Sequence, residues 1–276
     1  MASAKKKETP EVSETAVAIR TSGGEMITHD YGDAAGLGWE ETDQEDFQIP
    51  RIKQLQSSSP ECEEGGDSQI AGAKAGLFLN TVTKELMTSF NFVVVKREHV
   101  VVEWIPQDKG GGFVGVHDRN SEVVAEAKAN AVGRDLKTPT GNDLIDTFQL
   151  YLGILDEEGT EIVDFAIMAL SSTKQGPYRR YMTRNRRVKG SKNIPLAAFP
   201  CTMRAVKAKN KAGKFYFNIE MNVLGGKRTE DSILAPGSEV VQGSLAFLES
   251  LKNGERVVKY DTPETEGSAS TEEDPF

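Results

Sequence analysis

The sequence predicts a mainly β protein with helices, built as a five-stranded, partly open barrel with insertions and disordered termini. Three observations carry that expectation. Runs rich in Val, Ile and aromatic residues, bounded by Gly, Pro, Asn and Asp, recur from about residue 77 to 224 and read as strands. One helical stretch, opened by Pro177, interrupts the strand series before its last hairpin. Both ends of the chain are acidic and poor in apolar residues, a composition that buries too little surface to fold.

Residues 1–70 read as an acidic, largely disordered N-terminal arm. Between Glu40 and Asp67 nine acidic residues face only Arg51 and Lys53. One island in this arm, Phe47 to Leu55, is expected to dock on the folded part through Phe47, Ile49, Ile52 and Leu55. The folded domain is expected over residues 71–257. Leu77 to Leu79 opens it as a short strand, and Phe90 to Ile105 is one long bent strand or two in sequence. Gly110, Gly111 and Gly112 turn the chain into Phe113 to Val116. Ser121 to Leu136 reads as a short helix or an insertion. Phe148 to Leu155 and Glu161 to Leu170 flank the hairpin loop Asp156 to Gly159. A helix over Tyr178 to Val188 follows, then a hairpin of Phe199 to Val206 and Phe215 to Leu224, then an amphipathic helix over Glu239 to Leu251. Strands, a helix and a closing hairpin in that order are the pattern of an OB-fold-like barrel. Residues 258–276 read as a disordered acidic C-terminal tail.

Composition narrows the chemistry. The 276 residues give ample material for one core, and 38% hydrophobic content fits one folded domain with polar ends. Cys62 and Cys201 are too few for a disulfide framework, and His29, His99 and His117 form no metal-ligand spacing. No metal or other cofactor is expected. No apolar run approaches membrane-spanning length, and Lys5, Lys6 and Lys7 precede no hydrophobic stretch, so no membrane association is expected and the location is expected to be cytoplasmic. No phosphate-binding loop, serine elbow or Cys–His pair is present. Asp143, Asp146, Asp156 and Asp164 follow no nuclease spacing, so an enzyme is not expected.

Charge segregation is the strongest functional signal. From Ser171 to Ile219 there is no acidic residue and there are thirteen basic ones; with a net charge of −9 for the whole chain, the remainder carries −22. Such a block favours phosphates as partners. The candidate nucleic-acid-binding residues are Lys174, Arg179, Arg180, Arg184, Arg186, Arg187, Lys189, Lys192, Lys207, Lys209, Lys211 and Lys214, with Tyr178, Tyr181 and Tyr216 as candidate stacking rings. Non-specific binding of single strands needs cations along the backbone and aromatic faces for the bases. Tyr178, Tyr181 and Arg184 share one face of the expected helix, where the tyrosines either stack bases or anchor the helix to the barrel. Strand alternation assigns Phe215, Phe217, Ile219, Met221 and Val223 to the core and turns Tyr216 outward. Arg204 completes the basic block. Trp104, Phe113 and Tyr151 read as core or rim packing.

The last sixteen residues hold six carboxylates, no cation and a terminal Phe276. A flexible polyanion imitates a nucleic-acid backbone, and an aromatic end gives it an apolar anchor for a partner. The tip Glu272, Glu273, Asp274, Pro275 and Phe276 is therefore the candidate partner-docking segment. It resembles the C-terminal tip of bacterial single-stranded DNA-binding proteins. With the basic block and the strand order, the chain resembles a bacteriophage single-stranded DNA-binding protein. The resemblance implies coating and protection of single-stranded DNA in replication, recombination or repair, and recruitment of replication or recombination proteins through the tail. A monomer or homodimer is expected. A strand-annealing recombination mediator, a duplex or RNA binder and, less favoured, a metal-dependent nuclease are the alternatives.

Overall fold

A computed structural model describes residues 48–253 apart from 132, 134, 211 and 212, together with residues 16–20, 26–30, 32–34 and 37. The chain divides into two compact units, Met1–Phe47 and Gln48–Phe276. In the first, β1 (Ala16–Arg20) pairs antiparallel with β2 (Met26–Asp30), Ala16 opposite Asp30 and Arg20 opposite Met26.

The second unit begins at Gln48, upstream of the boundary at 71 that composition predicts. The reason lies in the apolar island: Ile49, Ile52 and Leu55 are all buried, and Ile52–Gln54 forms strand β3. β3 pairs with β4 (Phe78–Asn80), which pairs with β5 (Leu86–Met87).

Seven strands form the main sheet. Its axis is β6 (Ser89–Ile105), seventeen residues long, paired along its length with β9 (Asp143–Leu155). The register shifts at Val95, an extra residue between the pairs Val94–Leu152 and Lys96–Tyr151, which is a bulge. The first half of β6 pairs on its other edge with β11 (Cys201–Lys209), which pairs with β12 (Phe215–Val223). The second half pairs instead with β7 (Gly112–Asp118). Gly110, Gly111 and Gly112 enter that strand with φ of 103°, 69° and 134°, backbone that only glycine adopts without strain. β9 is flanked by β10 (Ile162–Ser171) and, at its start, by β8 (Leu136–Lys137).

Side-chain parity locates the core. Phe90, Phe92 and Val94 of β6, Phe148 to Ile154 of β9 at alternate positions, and Ala166, Met168 and Leu170 of β10 point to one face. There they meet Cys201, Met203, Ile219 and Met221, with Tyr178 and Tyr181 of helix α2 (Gln175–Arg186). Pro177 sits in the first turn of α2, where its missing N–H has no intrahelical partner to lose. Helix α3 (Glu239–Lys252) packs on the other face, placing Phe247 against Val95, Tyr151 and Ile167. Ser238 caps it by accepting from Val241 N–H at 3.4 Å. Helix α1 (Glu122–Ala129) covers the far half of the ladder, with Val124 and Ala127 on Val101 and Leu144.

The strand order is β10-β9-β6-β11-β12, with α2 between β10 and β11. The expected barrel does not close: the sheets are open, and no pairing of β12 with β10 occurs among the described residues. The segment before β4 occupies the interval. Ile167 N–H donates to the Pro50 carbonyl at 2.8 Å, and Arg51 bridges Ile167. On the other side Gln54 Nε2 donates to the Asn218 carbonyl at 2.9 Å. Gln56 donates to the Phe217 carbonyl at 2.9 Å and accepts from Phe217 N–H at 3.0 Å. Glutamine side chains thus satisfy backbone groups of β12 that a neighbouring strand would otherwise take. No helix among the described residues is long and apolar enough to cross a membrane.

Candidate nucleic-acid interface

The basic block folds into two exposed surfaces. On α2 and the loop after it, Arg179, Arg180, Arg186, Arg187, Lys189 and Lys192 are exposed. The second surface is the tip of the β11–β12 hairpin. β11 pairs with β6 only from Cys201 to Arg204. The Ala205–Ile219 pair still packs on the core, and Gln54 and Gln56 hold Asn218 and Phe217; beyond them the tip of the hairpin projects as a two-stranded ribbon. Lys207, Lys209 and Lys214 are exposed there, while Lys211 lies outside the described residues. Glu272, Glu273, Asp274, Pro275 and Phe276 of the tail also lie outside them.

Two candidate stacking rings are corrected by burial. Tyr178 and Tyr181 are each 1% exposed, so neither offers a face to a base. Their rings pack at 5.3 Å (Tyr178 on Phe148) and 6.2 Å (on each other), and the Tyr181 hydroxyl donates to the Phe199 carbonyl at 3.2 Å. They are the anchors that hold α2 to the sheet. Burial pushes the Tyr178 phenol up to about 12, the Tyr181 phenol well above its ordinary value, and the Cys201 thiol beside them up to about 12. Arg184 is partly structural too: it donates to the Met221 carbonyl at 3.2 Å and lies over the Tyr181 ring. Arg179 donates to Gln175 Oε1 at 3.0 Å and lies over Phe148.

Phe215, which alternation assigns to the core, is 58% exposed. Its parity is that of Ile219 and Met221, but it sits on the projecting ribbon, opposite Lys209. The Lys207 and Lys209 ammonium groups lie over its ring at 4.4 and 4.7 Å. A ring held by two cations joins a stacking face to phosphate-binding charge in one place. Tyr216 is half-buried on the opposite face of the hairpin, with Ala208 across from it.

On that opposite face, near the base of the hairpin, an open recess of about 840 Å³ is lined by Arg184, Arg204, Lys227 and Arg228 around the cross-strand pair Thr202 and Asn222. Arg204 reaches Glu220 only at 3.8 Å and Arg228 reaches Glu230 at 3.9 Å, long ion pairs that leave the guanidinium groups largely unengaged. Lys227 and Arg228 fall outside the acid-free window, although the dipeptide after Gly225 and Gly226 is visible in the sequence. Lys174 belongs to neither surface and lines a different cleft. Among the described residues no cluster of His, Cys, Asp or Glu is arranged to hold a metal ion.

Fold and surface together define a protein that, among the described residues, is mainly β with three α-helices, an open sheet and a basic, aromatic-tipped hairpin. The family described as Pam3 phage gp34-like protein matches residues 22–252, and the chain belongs to that family. The match points to a bacteriophage origin. No curated protein and no solved structure is detectably similar to the chain.

Proposed function

We propose that the protein binds single-stranded DNA without sequence preference, and that it acts as a binding protein rather than a catalyst. The observation that carries the reading is Phe215, exposed at the hairpin tip beside Lys207 and Lys209 within a stretch free of acids. Unstacked bases present the π-faces that such a ring takes, whereas a duplex hides them. The strand order, with α2 between the third and fourth long strands, supports an OB-type arrangement opened where β3 sits. In this reading the acidic tail competes with DNA for the same basic surface, and DNA frees Phe276 for replication or recombination partners.

The test is fluorescence anisotropy of a labelled oligonucleotide, single strand against duplex, with the full chain and with a chain ending at residue 260. Preference for the single strand, with tighter binding by the truncated chain at low salt, is the expected outcome. Equal affinity for duplex overturns the single-strand reading, and equal affinity of the two chains removes the competition.

A further inference from the structure

A cleft of about 910 Å³ opens between the β3–β4 piece and the face of β6, β9 and β10 opposite α2. Its floor is polar and small: Thr147 lies across from Ser171, and Gln149 across from Ala169. The same faces of β9 and β10 carry Tyr151 and Ile167 further along, where α3 covers them. Trp104 and Phe113 stand in the cleft, ring centroids 5.8 Å apart and edge to face. Trp104 is 40% exposed, unlike an indole serving as core. Lys174 follows Ser171 and lines the cleft half-buried. Among the described residues no carboxylate pairs with it, and burial alone drives its pKa down. A half-buried ammonium without a counter-charge costs stability, and an anion entering the cleft would remove that cost. Over the whole lining four cations face two carboxylates, and one of these, Glu61, is already held by Lys53 at 2.7 Å.

We propose that this cleft takes a short run of single-stranded nucleic acid, one unstacked base against Trp104 and Phe113 and a phosphate on Lys174. The proposal rests on the single-strand reading above and extends it to a second contact region. Along the sheet, Trp104 and Ser171 are separated by four residues and two strand spacings, roughly 15 Å. That span holds more than one nucleotide. Thr147, Gln149 and Ser171 offer hydrogen-bonding groups to base edges without the bulk that would fill the cleft.

The chain has two tryptophans, Trp39 and Trp104, so Trp39→Phe leaves Trp104 as the sole indole reporter. Full-length Trp39→Phe protein is titrated with oligothymidylate, following Trp104 emission and, in parallel, anisotropy of a labelled copy of the strand. The expected result is quenching of Trp104 with the same midpoint as the anisotropy. Lys174→Gln should weaken binding about tenfold, as loss of a charge-assisted contact does, while Lys174→Arg retains most of it. The melting temperature of Lys174→Gln should be unchanged or higher, which separates lost binding from lost folding. Binding by anisotropy with constant Trp104 emission and an unaffected Lys174→Gln overturns the cleft and leaves the hairpin reading standing. Absence of binding in anisotropy overturns both.

Discussion

Phe215 and Tyr181 show how one residue type divides between two jobs within a single basic block. Tyr181 sits under α2 with its hydroxyl bonded to a backbone carbonyl, while Phe215 stands outside the core with two ammonium groups close to its ring. Phe215→Ala should therefore weaken single-strand binding by roughly 1–3 kcal/mol, the usual worth of a stacked base, with little change in thermal stability. Anisotropy and a melting curve read the two effects separately. The buried tyrosines predict a pH effect instead. Tyr178 is raised from 10.0 to about 12 and Cys201 from 9.0 to about 12, so the folded state favours their neutral forms. Their contribution is fully present below pH 9 and falls away as pH rises toward 12. Tyr178 alone accounts for roughly 2–3 kcal/mol of that loss. Urea denaturation at about pH 8 and about pH 11 should show it, and Tyr178→Phe should flatten the dependence.

At the scale of elements, the long strands were legible because their alternating or continuous Val, Ile and aromatic runs leave little choice of period. β6, β9, β10 and α3 begin or end within a few residues of where pattern places them. β5 and β8, two residues each, carry no pattern and are set by the neighbours they pair with. β3 was legible as an apolar island but not as the element between β10 and β12, because glutamine side chains do the bridging and no periodicity encodes them. Periodicity assigns Phe215 to the core and leaves Tyr178 and Tyr181 open between stacking and anchoring for a related reason: it fixes which face a residue takes, not how far the core extends beneath it. The bridge itself predicts an effect. Gln54→Ala with Gln56→Ala would leave polar groups of Phe217 and Asn218 without their partners, costing roughly 1–3 kcal/mol for each group left buried and unpaired. Chemical denaturation of the double variant measures it; a change below about 0.5 kcal/mol would mean that water takes the glutamines' place.

For the whole molecule, the decisive quantity is the distribution of charge rather than its total. A net charge of −9 would keep a uniformly charged protein away from DNA, but one stretch of the sequence, Ser171 to Ile219, carries thirteen cations and no carboxylate. The affinity for single strands should then fall with salt, with a logarithmic slope of about −0.7 per phosphate contacted. Measured across salt in the same titration, a slope near zero would show that the cations do not touch phosphate.

The bridge across the open side of the sheet also orders events in time. Residues 54 and 56 leave the ribosome early, yet the backbone groups they hold lie 164 and 161 residues later in the chain. While the nascent protein is shorter than about 217 residues, those glutamines have no β12 to meet and their amides stay hydrated. β4 and β10 are available to this segment earlier, but its contacts with β12 wait for the last hairpin, so the strand of the second unit that is synthesised first is among the last to have both of its sides satisfied.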